Sequence, residues 1–128
     1  MSEALERIYR AYVAALNERR LDDLGQFVHD QLTYNDQAWT LAQYHERLAD
    51  DLRRIPDLHY DIHNLLTGPD QVAARLWFDC SPQGEFLGIA VNGRRVAFAE
   101  HVFYRFRGGR IAEVHSLIDT QGIRNQLA

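Results

Sequence analysis

The sequence predicts an α+β fold, in which a curved antiparallel sheet wraps around one long helix. Apolar residues recur at helical spacing as far as Pro56, and from Leu58 onward they alternate with polar residues, as in strands. Helices followed by antiparallel strands is the order expected of an α+β domain. A chain of 128 residues is expected to form a single domain over residues 1–128.

Three helical patterns fill the first half of the chain. The residues from Leu5 to Leu16 predict a long helix with one buried face. A shorter pattern covers positions 21–28. The third helix is predicted to begin at a capping box formed by Thr40 and Gln43 and to end before Pro56.

The polar segment from His29 to Trp39 is predicted to be a loop or a short strand, and not a long strand. It carries three candidate substrate-binding residues, Tyr34, Asn35 and Trp39. Tyrosine and asparagine can orient a carbonyl oxygen, and tryptophan can stack on an aromatic ring. The alternative is a surface turn in which Trp39 packs on the third helix.

The second half of the chain is predicted to form strands separated by turns. A strand is predicted at 58–62, and Val72 to Cys80 forms a second one with large residues on both faces, so that both faces are expected to be covered. Asn92-Gly93 is a tight-turn signal, and the strand from Val96 to Phe106 follows it. The last strand runs from 110 to 119 and leads into a short helical tail at 121–127.

Odd-numbered positions of the last two strands are predicted to line a pocket. Glu113, His115 and Asp119 share one face of the last strand, because side chains alternate in a strand. His101 lies on the odd face of the preceding strand beside Ala99, whose small side chain leaves room for a ligand.

Several segments together resemble the SnoaL-like polyketide cyclase family, within the ketosteroid isomerase and nuclear transport factor 2-like superfamily of cone-shaped α+β barrels. The resemblance spans nearly the whole chain, and its specific part begins at Gly84. The segments that carry it are GEFLGI at 84–89, GRRV at 93–96, HVFYRF at 101–106, GRIAE at 109–113, and Asp119 with Gln126-Leu127 after it.

The resemblance implies an intramolecular aldol cyclase without cofactor or metal, in which an aspartate at the end of the last strand acts as general acid/base on a polyketide ester. Asp119 stands at the position of that aspartate. Four residues before it the family often has tryptophan, whereas this chain has the titratable His115. The superfamily cavity also serves isomerases, hydrolases and binding modules, so the fold alone does not decide the function.

Each candidate catalytic residue has a structural alternative. Asp119 can remove and return a proton if it is partly desolvated, or it can cap the C-terminal helical tail. His101 can bind Asp119 or a substrate carbonyl, or it can be a strand histidine bonded to a backbone carbonyl. His115 can form a dyad with Asp119. Two histidines and a carboxylate can bind a metal, but no paired-histidine spacing appears, so no metal site is predicted.

Two aromatic residues of the strands complete the candidate binding set. Trp77 shares a strand face with Arg75. If this face lines the cavity, Trp77 forms part of the cavity wall and Arg75 can bind a carboxylate. If it is the convex face, Trp77 is a dimer contact and Arg75 forms a surface ion pair. The sequence leaves both alternatives open. Phe86, between Gly84 and Gly88, is predicted to close the cavity edge, and ordinary core packing is the alternative.

The amino-acid composition limits the classes of partner that the protein is expected to bind. The net charge is −4 and the 14 basic residues are scattered, so nucleic acid is not an expected partner. No leader pattern and no apolar run of about 18 residues is present, which predicts a cytoplasmic protein without membrane contact. The expected partners are a hydrophobic small molecule and further copies of the chain, as a homodimer or higher homo-oligomer.

The predicted function is therefore an enzyme that acts on a flat or polycyclic carbonyl compound. One alternative keeps the pocket without the reaction, as a binding or accessory module for a hydrophobic small molecule. Another is an isomerase-type relative with a different substrate.

Overall fold

The computed structural model describes residues 2–128 and confirms the α+β organisation. The helices are α1 (Glu3–Asn17), a 3-10 helix (Leu21–Gln26), α2 (Leu41–Arg54) and α3 (Thr120–Leu127). The strands are β1 (Val28–Tyr34), β2 (Gln37–Thr40), β3 (Asp61–Thr67), β4 (Gln71–Cys80), β5 (Glu85–Phe86), β6 (Ile89–Ala90), β7 (Val96–Arg107) and β8 (Arg110–Ile118). No helix among the described residues is long and apolar enough to cross a membrane.

The main sheet has six strands in the order β2-β1-β8-β7-β4-β3, and β5 and β6 form a separate hairpin. All neighbours in the main sheet pair antiparallel except β1 and β8, which are parallel. The predicted antiparallel sheet is therefore confirmed with one parallel pair in it. Most of the chain separates β1 from β8, so no tight turn imposes an antiparallel direction on them.

The segment after the 3-10 helix forms a β-hairpin, not the loop or short strand that its polarity suggested. β1 has seven residues and pairs with β2 through a turn at Asn35 and Asp36, whose φ angles are 46° and 69°. Asparagine and aspartate favour such positive φ angles, as a two-residue hairpin turn requires. The predicted helical pattern at 21–28 also ends early, because Val28 already belongs to β1.

The sheet has an inner face against the helices and an outer face. On β4 the even-numbered residues are buried and the odd-numbered ones are half-buried or exposed, which corrects the prediction that both faces are covered. The same alternation continues along β7, where Phe103 is 62% exposed. In β8, Val114 is buried whereas Leu117 is 76% exposed.

The helix α1 packs on the inner face, as the periodicity predicted. The Tyr9 ring lies 5.0 Å from the ring of Tyr104 on β7. The helix α2 begins at the predicted capping box, in which Gln43 N–H donates to Thr40 Oγ1 and Thr40 N–H donates to the Gln43 side chain. The core therefore lies between the sheet, α1 and α2.

Candidate functional site

A narrow cavity lies between the inner face of the sheet and α2. It has two adjoining parts, which share the lining residues Asp51, Tyr60, Glu100 and Ile118. The cavity volume is about 30 Å³ in one part and about 40 Å³ in the other. One part is mostly apolar, with Phe78, Phe86 and Phe98, and the other is lined by tyrosines 12, 34, 44 and 104. In this conformation the cavity holds only a few waters.

Glu100 brings a carboxyl group into this cavity from the inner face of β7. Burial raises its pKa to about 7, and the negative charge of Asp51 also raises it. The Ser116 hydroxyl donates a hydrogen bond to the Glu100 carboxylate, and this bond and the Arg47 charge oppose the rise. The carboxyl group is therefore held where it can both lose and gain a proton near neutral pH.

Asp51 brings a second carboxyl group to the same cavity from α2. Burial raises the pKa of Asp51 to about 6, whereas the guanidinium of Arg47, with Nε 3.6 Å from Asp51 Oδ2, lowers it. Two carboxyl groups with raised pKa values, on different elements of the fold, therefore make this cavity the candidate functional site.

An aromatic stack supports Arg47 at the edge of the cavity. The guanidinium carbon lies 5.8 Å from the centre of the Tyr34 ring, and Trp39 stacks on Tyr34 at 4.2 Å with an interplanar angle of 8°. Asn35 at the hairpin turn accepts a hydrogen bond from Ser116 N–H at 2.8 Å and donates to the Ser116 carbonyl at 3.3 Å. Of the three residues predicted in this segment, Tyr34 lines the cavity, Trp39 supports Tyr34, and Asn35 fixes the backbone at Ser116.

Buried tyrosines line the end of the cavity nearest α1. The hydroxyl groups of Tyr12 and Tyr44 are 2.6 Å apart, and Tyr9 donates to Tyr104 over 3.5 Å. Burial raises the pKa of Tyr12 and Tyr44, so both hydroxyls stay protonated at neutral pH. One of their two hydrogens is donated within the pair, and the other is left for a further acceptor.

The β5–β6 hairpin and α2 form a mouth groove outside the cavity. Phe86 lines both the cavity and this groove, and it also packs on Phe98 in the core. The groove has a volume of about 290 Å³ and is also lined by Arg47, Asp51 and Leu87. Arg54 joins its two sides, since Nη1 donates to the Glu85 carbonyl at 3.1 Å.

Asp119 lies outside the cavity and caps α3. Its Oδ1 accepts a hydrogen bond from Gly122 N–H at 2.9 Å, and the residue is exposed. The sequence left this capping arrangement open as the alternative. The prediction that the odd face of β8 lines the cavity is corrected, because Ser116 and Ile118 occupy the inner positions and alternation sends their odd neighbours outward.

The other candidate residues on odd-numbered positions also lie on the outer face. His101 and Asp119 share an outer groove of about 450 Å³ with Arg75 and Leu117. His115 pairs with Glu113 at 3.4 Å and with Asp36 at 3.9 Å, and not with Asp119.

Trp77 also belongs to the outer face. It stacks on His63 at 5.5 Å with an interplanar angle of 11°, and Arg75 lies over its indole at 5.4 Å. The question that the sequence left open is thereby decided for the convex side. No group of three or more histidine, cysteine or acidic residues within 2–128 is arranged to hold a metal ion.

Comparison with known proteins identifies the family. The family model described as SnoaL-like polyketide cyclase matches residues 6–127. The chain belongs to this SnoaL-like family. The resemblance inferred from the motifs after Gly84 is confirmed, and so is the cone-shaped α+β fold. A search of curated proteins found no match.

Solved structures of SnoaL-like and related proteins share the fold. The crystal structure of a SnoaL-like polyketide cyclase from Agrobacterium tumefaciens str. C58 has 41% identity and a TM-score of 0.96, covering 99% of this chain and 100% of that one. TsrD from Streptomyces laurentii has 21% identity and a TM-score of 0.87, covering 100% and 98%. AclR from Streptomyces galilaeus has 24% identity and a TM-score of 0.78, covering 96% and 94%. The last two show the fold alone.

The two cavity acids of this SnoaL-like protein, Asp51 and Glu100, were missed from the sequence, and so were the side chains that contact them, Arg47 and Ser116. A signal for Glu100 was present, because it is the one acid among the even-numbered residues of β7, which are otherwise Val96, Phe98, Val102, Tyr104 and Phe106. The signal for Asp51 was its place one helical turn from Leu48 on the buried face of α2.

Proposed function

We propose that this SnoaL-like protein is an enzyme that acts on a hydrophobic carbonyl compound, with Glu100 as the general acid/base. The observation that carries the proposal is the Glu100 carboxyl inside the cone, hydrogen-bonded by Ser116 and facing a second carboxyl group, Asp51. Family membership supports carbonyl chemistry, and the pKa of about 7 supports proton transfer at neutral pH. The chemistry requires no cofactor.

In the proposed reaction, Glu100 as carboxylate removes a proton from a carbon next to a carbonyl group, and the electron pair moves onto the carbonyl oxygen to give an enolate. The enolate carbon then bonds to a second carbonyl carbon of the same molecule, whose oxygen becomes an alkoxide. Protonated Glu100 returns the proton to that alkoxide, so the carboxylate is regenerated. The Tyr12–Tyr44 pair suits an enolate oxygen, because the hydroxyl whose hydrogen is not used within the pair can donate it without bringing a charge.

The size of the cavity bears on how the substrate enters. A polycyclic molecule is larger than this cavity, which has room for only a few waters in this conformation. The β5–β6 hairpin is the element that separates the cavity from the mouth groove, through Phe86. Substrate entry is therefore proposed to displace Phe86 and to join the cavity with the groove.

A second candidate site keeps the role that the family resemblance implies for Asp119. Asp119, His101 and Arg75 line one outer groove, so a carboxylate, an imidazole and a guanidinium are available there together. Asp119 is exposed and already accepts the cap hydrogen bond from Gly122, which keeps its carboxylate solvated and favours Glu100 as the base.

The test is exchange of the α-protons of 2-indanone in heavy water, followed by NMR. Wild type is expected to accelerate exchange, and Glu100→Gln to lose the acceleration because the amide cannot accept the proton. Glu113→Gln, which removes an outer-face carboxylate, is the matched control and is expected to retain it.

The other outcomes separate the alternatives. Loss of exchange in Asp119→Asn with retention in Glu100→Gln would move the reaction to the outer groove. A wild-type protein that binds 2-indanone without accelerating exchange would instead be a binding module.

A further inference from the structure

Arg47 has hydrogen-bond donors that the protein does not use. Its contact with Asp51 is made through Nε at 3.6 Å, and among residues 2–128 the terminal Nη1 and Nη2 have no hydrogen-bonding partner. The neighbouring arginines of α2 differ. Arg53 donates to Glu46 at 2.5 Å, and Arg54 donates to Asp50 at 2.8 Å and to the Glu85 carbonyl.

Arg47 is also placed where a ligand must pass. Its side chain lines the tyrosine-rich part of the cavity together with Glu100, and it lines the mouth groove outside. It is 32% exposed, so it is partly desolvated but still within reach of a ligand. A group bound to its terminal nitrogens lies at the entrance, beside the cavity that holds the proposed base.

The Tyr34–Trp39 stack fixes the guanidinium before any ligand arrives. The guanidinium lies over Tyr34, which is itself stacked on Trp39. A side chain held in this way loses less conformational entropy on binding than a free arginine. The planar fork of the two terminal nitrogens matches a carboxylate, which it can bind with two parallel hydrogen bonds.

We propose that Arg47 is a subsite for a carboxylate, and that the substrate is a hydrophobic carbonyl compound with a free carboxylate group. Arg47 then determines specificity by holding that carboxylate at the mouth, while the carbonyl end enters the cavity beside Glu100. The carbonyl part of this substrate class rests on the proposed function. The carboxylate subsite rests on the geometry of Arg47 alone.

The cavity acids give the subsite a pH dependence. A bound carboxylate is repelled by ionised Asp51 and Glu100, and is tolerated when they are protonated. Since burial raises both pKa values, to about 6 and about 7, affinity for a carboxylate is expected to fall as pH rises through this range. The charged groups that face Arg47 from the surrounding elements are Asp50, Asp51 and Arg54 on α2, Glu85 on β5 and Glu100 on β7, and the cavity tyrosines are neutral.

The experiment is calorimetric titration with three ligands of similar shape: benzoate, benzamide and benzylammonium. At about pH 6.5, where benzoate is ionised, wild type is expected to bind benzoate roughly tenfold or more tightly than benzamide, as hydrogen bonds to a charged group imply. Arg47→Gln is expected to remove this preference, because it lowers the affinity for benzoate far more than the affinity for benzamide. Arg47→Lys is expected to keep part of it, and Arg53→Gln, on the same helix, to keep all of it.

Several results would overturn the subsite. Failure of wild type to bind benzoate, equal affinity for benzoate and benzamide, or a benzoate preference that survives in Arg47→Gln would each do so. Tighter binding of benzylammonium would instead assign the site to cations held by Asp51 and Glu100.

Binding does not require turnover, so the two proposals fail separately. Glu100→Gln is expected to lose exchange of 2-indanone and to keep the benzoate preference. If exchange survives in Glu100→Gln while the benzoate preference still depends on Arg47, only the proposed role of Glu100 is wrong.

Discussion

Glu100 shows how neighbouring groups can place a single carboxyl group near neutrality. Burial alone favours its protonated form, and Asp51 adds to that effect through its negative charge. The Ser116 hydroxyl and Arg47 act in the opposite direction because they favour the ionised form. Removal of any one of these neighbours therefore shifts the Glu100 pKa in a known direction.

The pH profile of exchange should move in opposite directions in two variants. Glu100 acts as a base only when ionised, so the rate is expected to rise with pH through its pKa. Ser116→Ala removes a hydrogen bond to the carboxylate, which raises the pKa and moves the rising limb to higher pH. Asp51→Asn removes a like charge and moves the limb to lower pH.

The pH dependence of kcat/KM for 2-indanone exchange measures both shifts. Asn125→Ala, a change on the exposed face of α3, is the control and should leave the limb in place. Two shifts in the same direction would show that Glu100 is not the group that titrates.

The difference in stability between wild type and Glu100→Gln should also depend on pH. The Glu100 pKa is about 7 in the folded protein and near the ordinary glutamate value of 4.5 in the unfolded chain. Between these values only the folded state retains the proton, so the stability of wild type falls as pH rises through this window. Glutamine does not titrate, and the variant should therefore gain melting temperature relative to wild type between about pH 5 and about pH 8. A difference that is independent of pH would contradict the raised pKa.

At the scale of elements, the junction of β8 and α3 tests what Asp119 does. Asparagine caps helices as well as aspartate does, whereas alanine does not. Asp119→Ala is expected to lower the free energy of unfolding by about 1 kcal/mol, and Asp119→Asn to change it little. Urea denaturation measures both variants. Because Asp119→Asn preserves the cap and removes the acid, its activity reports on chemistry without a loss of stability.

Elements with local signals were predictable from the sequence. The capping box at Thr40 located the start of α2, and Asn92-Gly93 located the turn before β7. The β1–β2 hairpin was missed because polar residues at its exposed positions hid the alternation. Its parallel pairing with β8 depends on contacts far apart in the chain, which no local pattern contains.

The candidate site was less predictable than the elements that carry it. Strand alternation divides residues into two faces, but the inner face is decided by what packs against the sheet. The odd-numbered face was predicted to line the pocket because it holds His101, His115 and Asp119. The more apolar even series, with Glu100 as its exception, is the face that α1 and α2 cover.

At the scale of the whole molecule, the outer face of the sheet is the surface expected to join two copies. Leu66, Phe103 and Leu117 are 67%, 62% and 76% exposed there. Large apolar side chains gathered on one surface favour association over solvation. The homodimer predicted from the sequence stays a prediction, and this face is the surface that suits it.

Leu117→Asp is expected to convert the predicted dimer to monomer, because it replaces the most exposed of these apolar side chains with a charge. Light scattering after size exclusion, over a range of concentrations, measures the mass. Leu87→Asp, at an exposed leucine of the β5–β6 hairpin, is the control and should remain dimeric. A monomeric wild type, or a dimer that survives Leu117→Asp, would rule out this interface.

The parallel pairing of β1 with β8 also bears on the order of events during synthesis. β1 is complete at residue 34, but its partner spans residues 110–118, so β1 must wait for nearly the whole chain before it joins the sheet. Glu100 is likewise made before Ser116, its hydrogen-bonding partner. A nascent chain on the ribosome therefore exposes the apolar lining of the unfinished cone until its last strand emerges, and this interval is when chaperone binding or aggregation would compete with folding.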